Sequence, residues 1–183
     1  MDPNQAVDDL KAIRQIMGRT RSAIGNQGGW IMVVWGVIWL IGFPSNQLLP
    51  NLAGWIWLVL TIVGMALTIW LGTRMGQGDV RISFWKPVVS WLLSLVIFDA
   101  LLIWLFGITG TQDLLLLFLL TIALGYVQFG LFTHRIFGIV GVLMAVVTMG
   151  ARLLTPDYFF SVVGALGGGV LAGSGLWMAR QEE

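Results

Sequence analysis

Six continuous apolar stretches, separated by short polar segments, dominate the pattern of the chain. A membrane-spanning helix needs about 20 mostly apolar residues, and five stretches reach or approach that length. The first is short unless it begins near Ala23 or continues past Pro44. The runs are continuous rather than alternating, which favours helices over a barrel of short strands. The pattern therefore predicts an all-α polytopic membrane protein with six transmembrane helices, over residues 29–43, 52–71, 88–106, 114–132, 136–153 and 158–178.

A sequence pattern recurs at the ends of alternate spans. The second, fourth and sixth each end in a short segment that contains an arginine, at Arg74, Arg135 and Arg180. One interpretation is that the chain consists of three helical hairpins built as an internal repeat. The other is that a six-span topology by itself places a basic residue at each of these ends. Both interpretations stay open at this point.

Composition excludes several classes of protein. Of the 183 residues, 57% are hydrophobic and 10% are charged, whereas a soluble domain carries about 25% charged residues. A soluble enzyme, a nucleic-acid-binding protein and a disordered tail are all inconsistent with that balance. The lipid bilayer is the expected partner, and no nucleic acid is expected. There is no cysteine, so no disulfide framework or thiolate metal site can form.

The basic residues predict the topology, because lysine and arginine concentrate on the cytoplasmic side of a membrane. Nine of the ten fall in segments on one side, and Arg152 alone falls on the other. We therefore expect a multi-pass protein of the inner membrane with both termini in the cytoplasm. The predicted organisation is a cytoplasmic amphipathic and juxtamembrane segment over 1–22, a six-helix domain over 23–180 and a cytoplasmic tail over 181–183.

Residues 2–17 are predicted to form a short amphipathic helix. Apolar side chains recur there at three- and four-residue spacing and give one apolar stripe, formed by Val7, Leu10, Ile13, Ile16 and Met17. Such a helix can lie on the membrane surface. Alternatively, it can bind a cytoplasmic or membrane protein partner.

Asp99 is the only ionisable residue that falls clearly inside a predicted span. An aspartate at the centre of a membrane helix costs about 2.5 to 3.5 kcal/mol, so such residues face a partner or a water-filled cavity. One hypothesis makes Asp99 a proton or cation site, or an anchor for a ligand. The other makes it a packing residue that joins helices by hydrogen bonds. Arg152 ends the fifth span on the same side of the membrane and could reach Asp99, so the two form a candidate intramembrane pair.

Glycine is abundant, with 24 residues, and clusters in the sixth span. Gly164 with Gly168, and Gly169 with Gly173, have the four-residue spacing that lets helix backbones approach closely. We expect these four glycines to pack inside the bundle. The alternatives are that these glycines form a homodimer interface, or that their lack of side chains leaves room for a ligand.

The sequence offers little that could support catalysis. His134 is the single histidine, and one carboxylate within the membrane makes a poor acid–base pair. We therefore expect no enzyme, no catalytic or cofactor-binding residues, no metal site and no cofactor.

Two stretches resemble known groups of proteins. The segment LKAIRQIMGRT at 10–20, followed by WGVIWLIG at 35–42, resembles uncharacterised bacterial membrane proteins that open with an Ile-Arg-x-Ile/Leu-Met-x-Arg segment before the first span. Gly18 stands where those proteins usually have a glutamate. Members are often encoded near winged-helix transcription regulators, which implies a regulatory or sensory circuit. The hairpin rhythm is also similar to that of HdeD-like acid-resistance membrane proteins.

Together these features favour a non-enzymatic membrane protein with a regulatory, sensory or stress-related role, acting through protein partners or as a homo-oligomer. The alternative is a membrane transport component that binds a small molecule, such as a substrate-capture subunit or a small permease, in a cavity near Asp99.

Overall fold

The computed structural model describes residues 27–75 and 85–180, and these residues form helices with short connections and no strand. The predictions for residues 1–22, including the amphipathic helix, and for the tail at 181–183 lie outside the described residues. Within them, the all-helical prediction is confirmed. The helices are α1 (Gln27–Leu48), α2 (Pro50–Met75), α3 (Trp85–Phe106), α4 (Thr111–Phe132), α5 (Arg135–Leu154) and α6 (Pro156–Arg180).

Five of these helices, α1, α2, α4, α5 and α6, are long and apolar enough to cross a membrane. Helix α3 has 22 residues, and its described side chains show an apolar stretch over Leu93–Phe106. Length and composition therefore support a multi-pass membrane protein, because about 20 residues at 1.5 Å each cover the hydrocarbon thickness of about 30 Å. The count of six spans stays a prediction.

Helix α1 is longer than the first apolar stretch because it continues through Pro44 to Leu48. A proline inside a helix removes the backbone donor to the carbonyl four residues earlier, here that of Leu40, and two side chains of the following turn donate to a different carbonyl nearby. Ser45 Oγ donates to the carbonyl of Gly42 at 2.7 Å, and Asn46 Nδ2 donates to the same carbonyl at 3.1 Å. The last turn of α1 is thus supported by its own polar side chains.

Helix α6 is irregular in its first half. It opens with a 3-10 turn over Pro156–Tyr158, and a π turn over Val163–Gly167 precedes the regular part at Gly168–Arg180. A π turn is a local widening of the helix that is common at functional or tightly packed sites. Here it lies beside α1, because a Cβ on Gly164 would come within 2.6 Å of Pro44 Cδ.

The helices pack as antiparallel neighbours in the order α2, α1, α6, α5, α4 and α3. Trp35 Nε1 on α1 donates to Thr68 Oγ1 on α2 at 3.1 Å, and the contacts of α6 with α5, α5 with α4 and α4 with α3 complete the series. The buried core draws on α1, α4, α5 and α6, with Met32, Leu119, Met144 and Phe159 each at most 1% exposed. The helices at the two ends of the order, α2 and α3, expose most of their described side chains.

The antiparallel packing gives the bundle two chemically different ends. Arg74, Arg135 and Arg180 lie at the end where α2, α4 and α6 finish, which we call the Arg135 end. Arg152 lies at the opposite end, the Arg152 end. The described arginines are therefore separated as the positive-inside pattern predicts.

Candidate functional site at the contact between α3 and α4

The candidate site is the place where Asp99 on α3 meets α4. The two helices are joined by a short turn in which Gly107 has φ +60°, a conformation that favours glycine. Asp99 is half-buried and Thr121 on α4 is 6% exposed. Their side chains are in hydrogen-bond contact, with Thr121 Oγ1 at 2.7 Å from Asp99 Oδ1. The structure thus gives the side chain of Asp99, which falls inside the predicted third span, a hydroxyl partner.

The hydroxyl of Thr121 also lies 2.9 Å from the backbone carbonyl oxygen of Leu117. A threonine hydroxyl carries one hydrogen and can donate it once. The carboxyl oxygen of Asp99 and the carbonyl oxygen of Leu117 therefore compete for that one hydrogen.

Little else holds α3 in place among its described side chains. Leu95, one turn before Asp99, is the buried one, with 8% exposed. The face opposite Asp99 carries large apolar residues that are well exposed, Ile97 at 58% and Trp104 at 78%. Among the side chains that the structure describes, the bond between Asp99 and Thr121 is thus the polar contact that joins α3 to α4.

The predicted pair of Asp99 with Arg152 does not form. Arg152 instead donates to Asp113 Oδ1 from Nη2 at 2.9 Å and from Nε at 3.3 Å. The reason is topological, since Arg152 lies in the last turn of α5 and Asp113 in the first turn of the antiparallel α4. Sequence reasoning missed Asp113, although an acidic residue that opens one span and a basic residue that closes the next are expected to meet.

Polar side chains tie further helix termini together at the Arg152 end. Gln47 at the end of α1 donates to the backbone carbonyl of Asp157 at 2.8 Å and accepts from Ser161 Oγ at 2.7 Å. Gln112 at the start of α4 donates to the carbonyl of Pro156 at 3.3 Å. These bonds connect the start of α6 to both α1 and α4.

The glycines of α6 divide into two groups. Gly168 and Gly175 are buried against α1, where a Cβ on Gly168 would stand 2.8 Å from the carbonyl oxygen of Gly36. Gly164 also packs on α1, at Phe43 and Pro44. Gly169 and Gly173, in contrast, are exposed, and a Cβ added to either would have nothing within 4 Å. Packing inside the bundle therefore holds for Gly164 and Gly168, and the expectation is wrong for Gly169 and Gly173 among the described helices.

A cleft of about 440 Å³ lies on the outer face of the hairpin formed by α4 and α5, toward the Arg135 end. Val127 and Gly130 of α4 line it, together with Gly138 and Val142 of α5. Asp99 is not among its lining residues. The cleft and the carboxylate are thus separate features.

The described residues contain no group of three or more histidine, cysteine or acidic side chains that could hold a metal ion. His134, which precedes α5, caps that helix, and its Nδ1 accepts from the backbone N–H of Ile136 at 3.4 Å. No family model, curated protein or solved structure matches the chain. The two resemblances stay predictions, and the geometry of the bundle is the basis for a functional proposal.

Proposed function

We propose that this protein is a non-enzymatic integral membrane protein with a regulatory or sensory role, and that it acts through protein partners that contact α3 within the membrane. The observation that carries the proposal is the attachment of α3, whose described side chains include one that is buried, Leu95, and one that makes a polar contact with another helix, Asp99 with Thr121. A helix held so thinly can exchange neighbours at low cost, while a carboxylate in the membrane needs a partner at all times. The bond thus acts as a latch that a competing helix could replace.

The proposal includes six spans in a bacterial inner membrane with both termini in the cytoplasm. Its support is the separation of Arg74, Arg135 and Arg180 from Arg152 along the bundle axis. The chain has no cysteine, so single cysteines can report accessibility without background. Thr109→Cys, in the turn between α3 and α4, is expected to react with an impermeant maleimide added to intact cells. Thr133→Cys, in the turn between α4 and α5, is expected to react only after the membrane is opened, and the reverse result would contradict this orientation.

Site-specific photo-cross-linking tests whether α3 contacts partners. A photoreactive amino acid at Ile97 or Leu101, on the face of α3 opposite Asp99, is expected to give the same discrete protein adduct from both positions. Val146 on α5 is the matched control, because it is 63% exposed and apolar. The adduct is identified by mass spectrometry and confirmed by a reciprocal cross-link from the partner. A second copy of this chain would appear as a cross-linked dimer.

The proposed role of the bond between Thr121 and Asp99 predicts a second result in the same cross-linking experiment. The adduct at α3 is expected to increase in Thr121→Val, which frees the carboxylate, and to be as in the wild-type protein in Thr121→Ser, which keeps the hydroxyl. Lipid adducts alone at Ile97 and Leu101, as at Val146, would refute the proposed function.

A further inference from the structure

We infer that the cleft between α4 and α5 is a binding site for one anionic phospholipid, with an acyl chain in the cleft and the phosphate at Arg135. The inference is independent of the latch at Asp99, because the latch joins α3 to α4 whereas the cleft lies between α4 and α5, and neither Asp99 nor Thr121 lines the cleft. Its basis is a lining that is apolar along its length and basic at one end.

The shape of the cleft fits the hydrocarbon chain of a lipid rather than an α-helix of another protein. It follows α5 from Arg135 to Leu143, which is about 12 Å at 1.5 Å per residue. A helix about 10 Å across would occupy about 900 Å³ over that length, about twice the 440 Å³ of the cleft. A single hydrocarbon chain is narrow enough to enter it.

Two glycines form the floor of the cleft. The Cα atoms of Gly130 and Gly138 face each other, and a Cβ on Gly138 would stand 3.8 Å from Gly130 Cα. Because neither glycine has a side chain, the two helices approach closely, and the cleft lies between their outward-facing side chains. Ile139 and Val142 form one wall and are 56% and 54% exposed. The cleft therefore opens to the surroundings of the bundle, where lipid is expected.

Charge selects the head group. Arg135 is exposed at the end of the cleft and begins α5. The start of a helix carries a partial positive charge that favours a phosphate. The acidic residues of the described chain, Asp99, Asp113 and Asp157, all lie in the half of the bundle toward the Arg152 end. Basic pockets between membrane helices bind anionic head groups in this way.

Native mass spectrometry after reconstitution in equal amounts of dioleoyl phosphatidylglycerol and dioleoyl phosphatidylcholine tests the inference. The wild-type protein is expected to retain one phosphatidylglycerol through mild detergent exchange. Arg135→Gln is expected to lower the preference for phosphatidylglycerol about fivefold, which corresponds to the contribution of about 1 kcal/mol per basic residue near an anionic lipid. Arg74→Gln removes an arginine from the same end but on α2, over the Trp70 ring, and is expected to leave the preference unchanged.

Filling the cleft tests the acyl-chain position separately. Val142→Trp is expected to abolish retention of the lipid, whereas Val146→Trp, one turn further along and outside the lining, is expected to retain it. If Val142→Trp does not fold, as judged by gel filtration and helical circular dichroism, Ile139→Trp fills the same space. Equal retention of the two lipids by the wild-type protein would overturn the inference. So would an Arg135→Gln variant that behaves like Arg74→Gln, or a filled cleft that still retains its lipid.

Discussion

Two adjacent glycines of α6 allow a sharp test of the packing of the bundle. Gly168 faces α1, and a Cβ there would meet backbone, 2.8 Å from Gly36 O and 2.9 Å from Leu40 N. Backbone atoms cannot move aside as the end of a flexible side chain can, so α1 and α6 would have to separate. Gly169 is the next residue in the chain and has nothing within 4 Å of a Cβ. We therefore expect Gly168→Ala to destabilise the protein and Gly169→Ala to be neutral or slightly stabilising.

The size of the difference follows from two opposing contributions. Forcing an additional carbon into a close-packed interface costs about 1 to 3 kcal/mol. Replacing glycine by alanine inside a helix contributes up to about 1 kcal/mol in favour of folding. Both variants receive the second contribution, so their comparison isolates the first. Gly168→Ala should be less stable than Gly169→Ala by about 2 kcal/mol, or roughly thirtyfold in the unfolding equilibrium.

The measurement is unfolding by sodium dodecyl sulfate in mixed micelles, followed by helical circular dichroism and by the fluorescence of the ten tryptophans. Gly36→Ala should reproduce the loss, because its Cβ would stand 2.5 Å from Ala172 N across the same interface. Equal stabilities of the two α6 variants would refute the close approach of α1 and α6. Greater destabilisation by Gly169→Ala would instead place a second copy of the chain on the exposed glycine face.

Three other substitutions have defined outcomes. Thr121→Val removes the hydroxyl that binds the side chain of Asp99 and should lower the free energy of unfolding by about 1 kcal/mol, near the value for hydrogen bonds between membrane helices. Thr121→Ser keeps the hydroxyl, and recovery of stability in this variant, measured by the same detergent titration, checks that the hydroxyl is responsible. Arg152→Ala should change stability by less than about 1 kcal/mol, because its side chain and that of Asp113 are 35% and 51% exposed; a larger loss in thermal unfolding would contradict a weak surface pair. Gly130→Ala would place a carbon against the backbone of Gly138, so it should lower the midpoint temperature of thermal unfolding. An unchanged midpoint would mean that α4 and α5 are further apart than the structure has them.

The helices were predictable because their physical cause is local. Continuous apolar runs about 20 residues in length indicate helices in a membrane whatever their neighbours are. The end of α1 was less predictable, since Pro44 suggests a boundary. The donors of Ser45 and Asn46 that support the turn around it become apparent only in three dimensions.

The partners of the polar residues were less predictable, because they depend on which helices pack together. Asp99 is conspicuous in the sequence, yet Thr121 is one hydroxyl among several and is selected only by the contact of α3 with α4. The glycine interface had a signal that a search for four-residue spacing does not find. Gly29 and Gly36 are seven residues apart, as are Gly168 and Gly175. Two helical turns return to the same face, so matching seven-residue glycine pairs on two antiparallel helices indicate a close contact.

The position of the carboxylate argues for a role in choosing neighbours rather than in stabilising the fold. A central aspartate costs about 2.5 to 3.5 kcal/mol in a membrane helix, and one bond between membrane helices offsets on average about 0.6 kcal/mol of that cost. A leucine at position 99 would pack against α4 or lipid without this cost, so stability alone does not account for Asp99. A carboxylate does, however, make α3 intolerant of apolar neighbours and selective for a helix that presents a hydroxyl, as Thr121 does. Asp99→Leu should therefore insert and fold at least as stably as the wild-type protein but lose the discrete α3 cross-link, whereas Asp99→Asn, which keeps the hydrogen-bonding group, should retain it.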